Sequence, residues 1–180
     1  MKYTIKNLQA EKAQGKKRNF LFFWGHQPIR DGSINQSCLS QWWEQPFEIK
    51  GNSYPTAEHW MMAGKARLFK DQEILEQILV TKHPHQAKKL GRKVRNFDQK
   101  IWEANRYAIV LEGNVAKFEQ NEALKKYLKN TKDSIIVEAS PYDKIWGIGI
   151  KSDNPKASDM ATWNGLNLLG FVLMEVRDLI

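Results

Sequence analysis

The segment that most constrains the fold of this 180-residue chain is Thr56-Ala57-Glu58-His59-Trp60-Met61-Met62-Ala63-Gly64-Lys65-Ala66-Arg67-Leu68-Phe69. With Thr56 as its cap and Pro55 just ahead of it, the segment predicts a helix. Seven residues separate Glu58 from Lys65, two turns apart and offset by only about 20° around the axis. Met62 and Phe69 continue the same stripe. A stripe of that composition ordinarily faces a core, so it holds an acid and an amine against apolar surroundings. Ionisable groups kept there need a partner or a task. The ordinary alternative is a solvent-facing Glu and Lys, the commoner fate of both residue types.

The rest of the chain predicts mostly helix with a few short strands. An aromatic run over 19–24 suits a buried strand, and 28–40 reads as loop. Residues 47–54 predict a hairpin with Gly51-Asn52 at its turn. Helices are expected over 74–80, 86–91 and 121–128. The longest helical pattern runs over 97–118, with Ile101, Ala104, Ala108, Leu111, Val115 and Phe118 recurring at three- and four-residue steps. A core strand over 134–138 and a buried apolar helix over 165–180 complete the chain. The expectation is one compact α+β domain over 1–180, predominantly helical. Its core spans about 20–180, behind a basic extension at 1–18.

Hydrophobic residues make up 42% of the chain, which argues against disorder. No run approaches the roughly 20 apolar residues of a membrane span. The start, Met1-Lys2-Tyr3-Thr4-Ile5-Lys6, lacks the apolar stretch of a secretory signal. A single cysteine, Cys38, excludes an internal disulfide and a thiolate metal site. A soluble cytoplasmic protein is the expectation. The net charge of +8 is concentrated between Lys12 and Arg18 and between Lys82 and Lys100. Such a field favours anionic partners (phosphorylated small molecules, nucleotides or nucleic acid) or serves as a solvated face. Of the seven tryptophans, most are expected in the core or a cavity wall, and one or two against a base or sugar.

Two further segments combine polar groups with aromatic or glycine residues. In 138–149, Asp143 and Trp146 precede Gly147, Ile148 and Gly149. Glycines let backbone N–H groups approach a phosphate closely, although they also serve ordinary turns that Asp143 would cap. In Leu90-Gly91-Arg92, the arginine follows a glycine and has the geometry to grip a phosphate, with Trp102 ten residues on; the plain alternative is a surface arginine. His26, His59, His83 and His85 lack the spacing of a zinc site. No P-loop or dinucleotide fingerprint occurs, and no metal or cofactor is called for.

Taken in order, these segments resemble the NADAR superfamily and its YbiA-like N-glycosidases. The resemblance rests on the Thr56 to Ala66 segment, Leu90-Gly91-Arg92, Ile101-Trp102-Glu103, Ala116-Lys117-Phe118, the stretch 138–149, and Asn167-Leu168-Leu169-Gly170 with Leu173-Met174-Glu175-Val176-Arg177. It runs from about Phe20 to the C-terminus. One departure is a longer insertion after Phe22-Phe23-Trp24-Gly25-His26, where many members carry a Ser-Asn-Phe-type segment and this chain has Leu39-Ser40-Gln41-Trp42.

The resemblance implies a helical α+β domain with a charged cleft for ribosyl phosphate compounds, and hydrolysis of an N-glycosidic bond. The expected substrates are ADP-ribosylated guanine, free or in nucleic acid, and phosphoribosylamino-pyrimidine intermediates of riboflavin synthesis. Glu58 and Lys65 become the catalytic candidates. Trp24, Gly25, His59, Met62, Arg92, Trp102, Asp143, Trp146, Gly147 and Ile148 become the substrate-binding candidates. In both substrates the ribose is attached to an exocyclic amine, so its ring can open to an imine at C1. An uncharged Lys65 would attack that carbon and form a Schiff base, with Glu58 moving protons. Direct displacement is the rival route, with Glu58 activating water and Lys65 only binding. Other classes also remain open: a non-catalytic ADP-ribose or nucleotide-binding module, and a nucleic-acid module built on Lys82 to Lys100.

Overall fold

The computed structural model describes residues 1–180. Its helices are α1 (Ile5–Ala13), α2 (Ala57–Leu68), α3 (Gln72–Val80), α4 (Pro84–Gly91), α5 (Gln99–Glu119), α6 (Glu122–Asn130) and α7 (Leu168–Leu179). The strands are short: β1 (Phe20–Phe23), β2 (Phe47–Ile49), β3 (Asn52–Tyr54) and β4 (Ile135–Glu138). The class is α+β with helix dominant, as the sequence predicts. The chain divides into two compact units. One is formed by Met1–Ser40 with Ala123–Ile180, the other by Gln41–Glu122.

In the first unit β1 and β4 pair in parallel, Phe20 beside Ile135 and Phe23 beside Glu138. The run Ile135-Ile136-Val137 is buried and β-branched, the composition that suits a strand covered on both faces. Helix α7 packs on β4, and its residues Leu168 to Met174 are all buried. Asn167 joins the two. Held in the left-handed region (φ 51°) just before α7, it accepts from the Glu138 N–H at 3.0 Å and donates to the Ile136 carbonyl at 2.9 Å. A side chain thereby replaces a missing neighbour strand and satisfies backbone groups that would otherwise be orphaned. Gly170 is required beside it, because a Cβ there would collide with the Ile136 carbonyl.

Periodicity gives no element before residue 19, yet α1 forms there. Thr4 and Asn7 cap it reciprocally, the Asn7 N–H donating to Thr4 Oγ1 at 3.1 Å and the Thr4 N–H to Asn7 Oδ1 at 2.8 Å. Only Leu8 of its nine residues is buried, which is why the apolar pattern missed it. Residues 36–39, read as loop, form a 3₁₀ turn that buries Cys38 and Leu39.

The second unit is the β2–β3 hairpin with α2 to α5. The register Ile49 opposite Asn52 leaves Lys50 and Gly51 as the two-residue turn, both at positive φ. The turn therefore sits one residue before the expected Gly51-Asn52. Helix α2 packs against α3, α4 and α5. Close approach requires glycine twice, since a Cβ at Gly91 would overlap the Met62 sulfur and one at Gly113 the Trp60 ring. Helix α4 begins earlier than expected because Pro84 occupies its first turn, where the missing N–H is not needed.

The buried face of α5 differs from the expected one. Ile101, Ala104 and Ala108 are exposed, while the buried stripe is Trp102, Arg106, Val110, Gly113, Asn114, Lys117 and Phe118. Three of those side chains are polar, so a hydrophobicity pattern chose the wrong side of the helix.

Candidate active site

Helix α2 begins where Thr56 Oγ1 accepts from the His59 N–H. Glu58, in its first turn, is only 3% exposed, and its N–H donates to the Gln41 carbonyl at 2.9 Å. Its carboxyl group lies in the first turn, near the positive end of the helix dipole. Buried polar side chains continue from there: Gln41 Nε2 donates to Asn114 Oδ1 at 3.0 Å, and Asn114 Nδ2 to the Val110 carbonyl at 2.8 Å. One turn beyond Asn114 stands Lys117, fully buried. A polar interior of this kind is high-stakes and is retained where it orders a site or a register.

Lys65 lies two turns further along the same face, half-buried. Its Nζ sits 4.1 Å from the centre of the Phe97 ring and 5.8 Å from that of Trp102, and Phe69 packs edge-on to Phe97. No carboxylate faces it. Burial alone pushes the amine below its ordinary value of 10.5, while the ring faces attract its charged form. A lysine amine with no carboxylate partner can act as a nucleophile when it is uncharged. At 1.5 Å per residue the Glu58 and Lys65 Cα atoms stand about 10 Å apart along the helix.

The other candidates divide by what their atoms already do. Trp102 is buried beneath Lys65. Arg92 is exposed at the C-terminal end of α4 and makes no ion pair. Met62 is buried against Gly91 and acts as packing between α2 and α4. His59, expected among the substrate-binding groups, is buried at the start of α2. It is 1% exposed, with Nδ1 and Thr56 Oγ1 2.8 Å apart, and burial pushes its pKa down to about 4. It is a neutral anchor of the helix start.

In the first unit, the loop after β4 uses its polar groups on itself. Asp143 Oδ1 accepts from the Ile145 and Trp146 N–H groups, both at 2.8 Å. The Ile148 N–H donates to the Glu138 carbonyl at 3.0 Å and the Gly149 N–H to the Asp143 carbonyl at 3.1 Å. Asp143 is thus a turn cap, and the amides of Ile148 and Gly149 are not free to receive a phosphate. The side chain of Ile148 is core. Gly147 is needed because a Cβ there would lie 2.8 Å from the Glu138 carbonyl. Trp146 is half-buried, and Trp24 is exposed just before Gly25, whose φ of +87° turns the chain.

Sequence reasoning missed Phe97, the ring nearest the Lys65 amine, and Tyr142, an exposed ring beside Trp24. Phe97 carried a signal as an aromatic flanking the α5 cap Asp98; Tyr142 carried none. No three His, Cys, Asp or Glu side chains gather in a group able to hold a metal ion, and no helix is long and apolar enough to cross a membrane.

Comparison with known proteins agrees with the fold. The N-glycosidase R617 of Acanthamoeba polyphaga mimivirus is 41% identical over 164 residues, 88% of this chain and 95% of that protein. The N-glycosidase YbiA of Escherichia coli is 31% identical over 133 residues, 74% of each chain. The NMR structure of the E. coli protein YbiA matches with a TM-score of 0.72 at 26% identity, covering 91% of this chain and 86% of that one. A model of the NADAR domain matches residues 22–180. The chain belongs to the NADAR domain family.

Proposed function

We infer that this chain is an N-glycosidase, a hydrolase that cleaves the bond between ribose C1 and an exocyclic amine of a base. The substrate class is ADP-ribosylated guanine or a phosphoribosylamino-pyrimidine, both of which can open to an imine at C1. Two relatives carry the N-glycosidase name. The observation that carries the chemistry is the α2 face, where a half-buried Lys65 without a carboxylate partner follows a buried Glu58.

In the proposed sequence the Lys65 amine adds to the C1 imine carbon and gives an aminal. The base nitrogen takes a proton from Glu58 and leaves as the free amine, and C1 is left as a protonated Schiff base on Lys65. Glu58, now a carboxylate, removes a proton from water as the oxygen bonds to C1. The carbinolamine collapses, releasing the Lys65 amine and the sugar aldehyde, which closes to its ring. Burial of Lys65 lowers the amine pKa and so raises its reactive fraction. On the same unit as Lys65, Arg92 and Trp102 bind the phosphate and sugar of the substrate.

The test incubates the protein separately with guanine-ADP-ribosylated DNA and with the phosphoribosylamino-pyrimidine, following released sugar by mass spectrometry. ADP-ribose or ribose 5-phosphate is the expected product. Tight ADP-ribose binding with no release from either substrate would replace this reading with a non-catalytic module.

A further inference from the structure

The aromatic residues at the carboxyl ends of β1 and β4 take no part in the chemistry assigned to α2. Trp24, directly after β1, is 53% exposed, and Tyr142, in the loop after β4, is 83% exposed. Their ring centroids lie 6.1 Å apart with the planes at 54°, a pairing distance for aromatic rings. Two large rings meeting at the surface call for an explanation that a single exposed residue does not. The loop beneath them is braced: the Tyr142 and Asp143 N–H groups donate to Ser140 Oγ at 3.3 and 3.2 Å, and Asp143 caps the following turn. The backbone that carries Tyr142 is therefore fixed before any ligand arrives, which lowers part of the ordering cost of binding. The carboxyl ends of parallel strands are also the usual place for ligands in such sheets.

Charge adjoins the rings. Lys144 is exposed two residues beyond Tyr142. A pocket of about 390 Å³ borders the same loop at Pro141 and Gly149 and is lined further by Lys151, Asp153, Asn154 and Lys156. We propose that Trp24 and Tyr142 form a stacking platform for a base of single-stranded nucleic acid, with the neighbouring phosphates taken by Lys144 and by the pocket of Lys151 and Lys156. The platform is open, so a lone mononucleotide finds few contacts, whereas a strand can lay one base on the rings and pass its backbone across the lysines. A net charge of +8 favours such a polyanion. The inference deepens the N-glycosidase reading by naming a polymeric substrate, yet the binding step needs no hydrolysis and stands or falls separately.

The experiment titrates the full-length protein with a fluorescein-labelled single-stranded oligothymidylate and follows anisotropy at fixed salt. Trp24→Ala and Tyr142→Ala are each expected to weaken binding by about 5- to 100-fold, the range of one lost base–aromatic stack. Trp24→Phe and Tyr142→Phe should retain most of it, and the dependence on salt should persist in all four variants, since the phosphate contacts remain. Binding by the alanine variants equal to that of the unmodified chain would overturn the proposal. So would thymidine monophosphate binding as tightly as the strand, or a failure of the strand to bind.

Discussion

The face of α2 and the loop after β4 both combine acids, glycines and aromatic rings, yet they use them in opposite ways. On α2 the amine of Lys65 is half-buried among Phe97 and Trp102 with no carboxylate to neutralise it. In the loop, Asp143 holds two backbone N–H groups, and the amides of Ile148 and Gly149 are bonded to carbonyls of their own unit. The difference separates polar groups that are already bonded from one left available to a ligand. A polar group whose hydrogen-bonding capacity is already filled builds shape, whereas a charge held in a recess without a counter-ion is available to a substrate.

The largest expected effect follows from the α2 side. Lys65→Ala and Glu58→Gln should each lower turnover by more than about a hundredfold, the scale of losing a positioned acid–base or nucleophilic group. Near-normal turnover in a folded variant would remove that residue from the mechanism. The pH profile sharpens the point. Because the folded pKa of Lys65 lies below 10.5, kcat/KM should rise with pH and level off below the ordinary lysine range. Asp143→Asn keeps an acceptor oxygen and should leave turnover within a few-fold. If it instead abolishes turnover at unchanged stability, the contrast between helix and loop is wrong.

Next in size is a stability effect at the start of α2. The folded pKa of His59 is about 4, below its ordinary 6.5, so between those values the unfolded chain binds the extra proton. Its contribution is therefore present above about pH 6.5 and lost as pH falls toward 4, on the order of 3 kcal/mol. Denaturant midpoints across that range, compared with those of His59→Gln, measure it; identical pH slopes for the two proteins would refute the assignment. Asp143→Ala should cost about 1–2 kcal/mol of stability as a lost cap, read as a lower urea midpoint. The smallest effect is expected from Arg92→Ala, a rise in KM of about tenfold with kcat nearly unchanged, as for a lost exposed phosphate contact.

The stripe Glu58, Met62, Lys65, Phe69 was legible because helical spacing alone places those residues together, and the burial of three of them follows from it. The same logic failed on α5. There the buried face carries Arg106, Asn114 and Lys117, and a period counted on apolar residues cannot see a core that is polar. The loop 138–149 was half legible. Asp143 with two following glycines marks either a turn or a phosphate nest, and only the partners of its amides decide between them. Helix α1 was hidden because one buried leucine among polar residues leaves no period to count. Tyr142 was hidden for a different reason, since exposure depends on the path of the chain and not on the residue.

The most direct test of the account is borohydride trapping during turnover, followed by peptide mass spectrometry, with guanine-ADP-ribosylated DNA and the phosphoribosylamino-pyrimidine as substrates. The expected result is a reduced sugar adduct on the peptide that carries Lys65, absent from Lys65→Ala. Sustained sugar release with no adduct, together with an active Lys65→Ala variant, would contradict it.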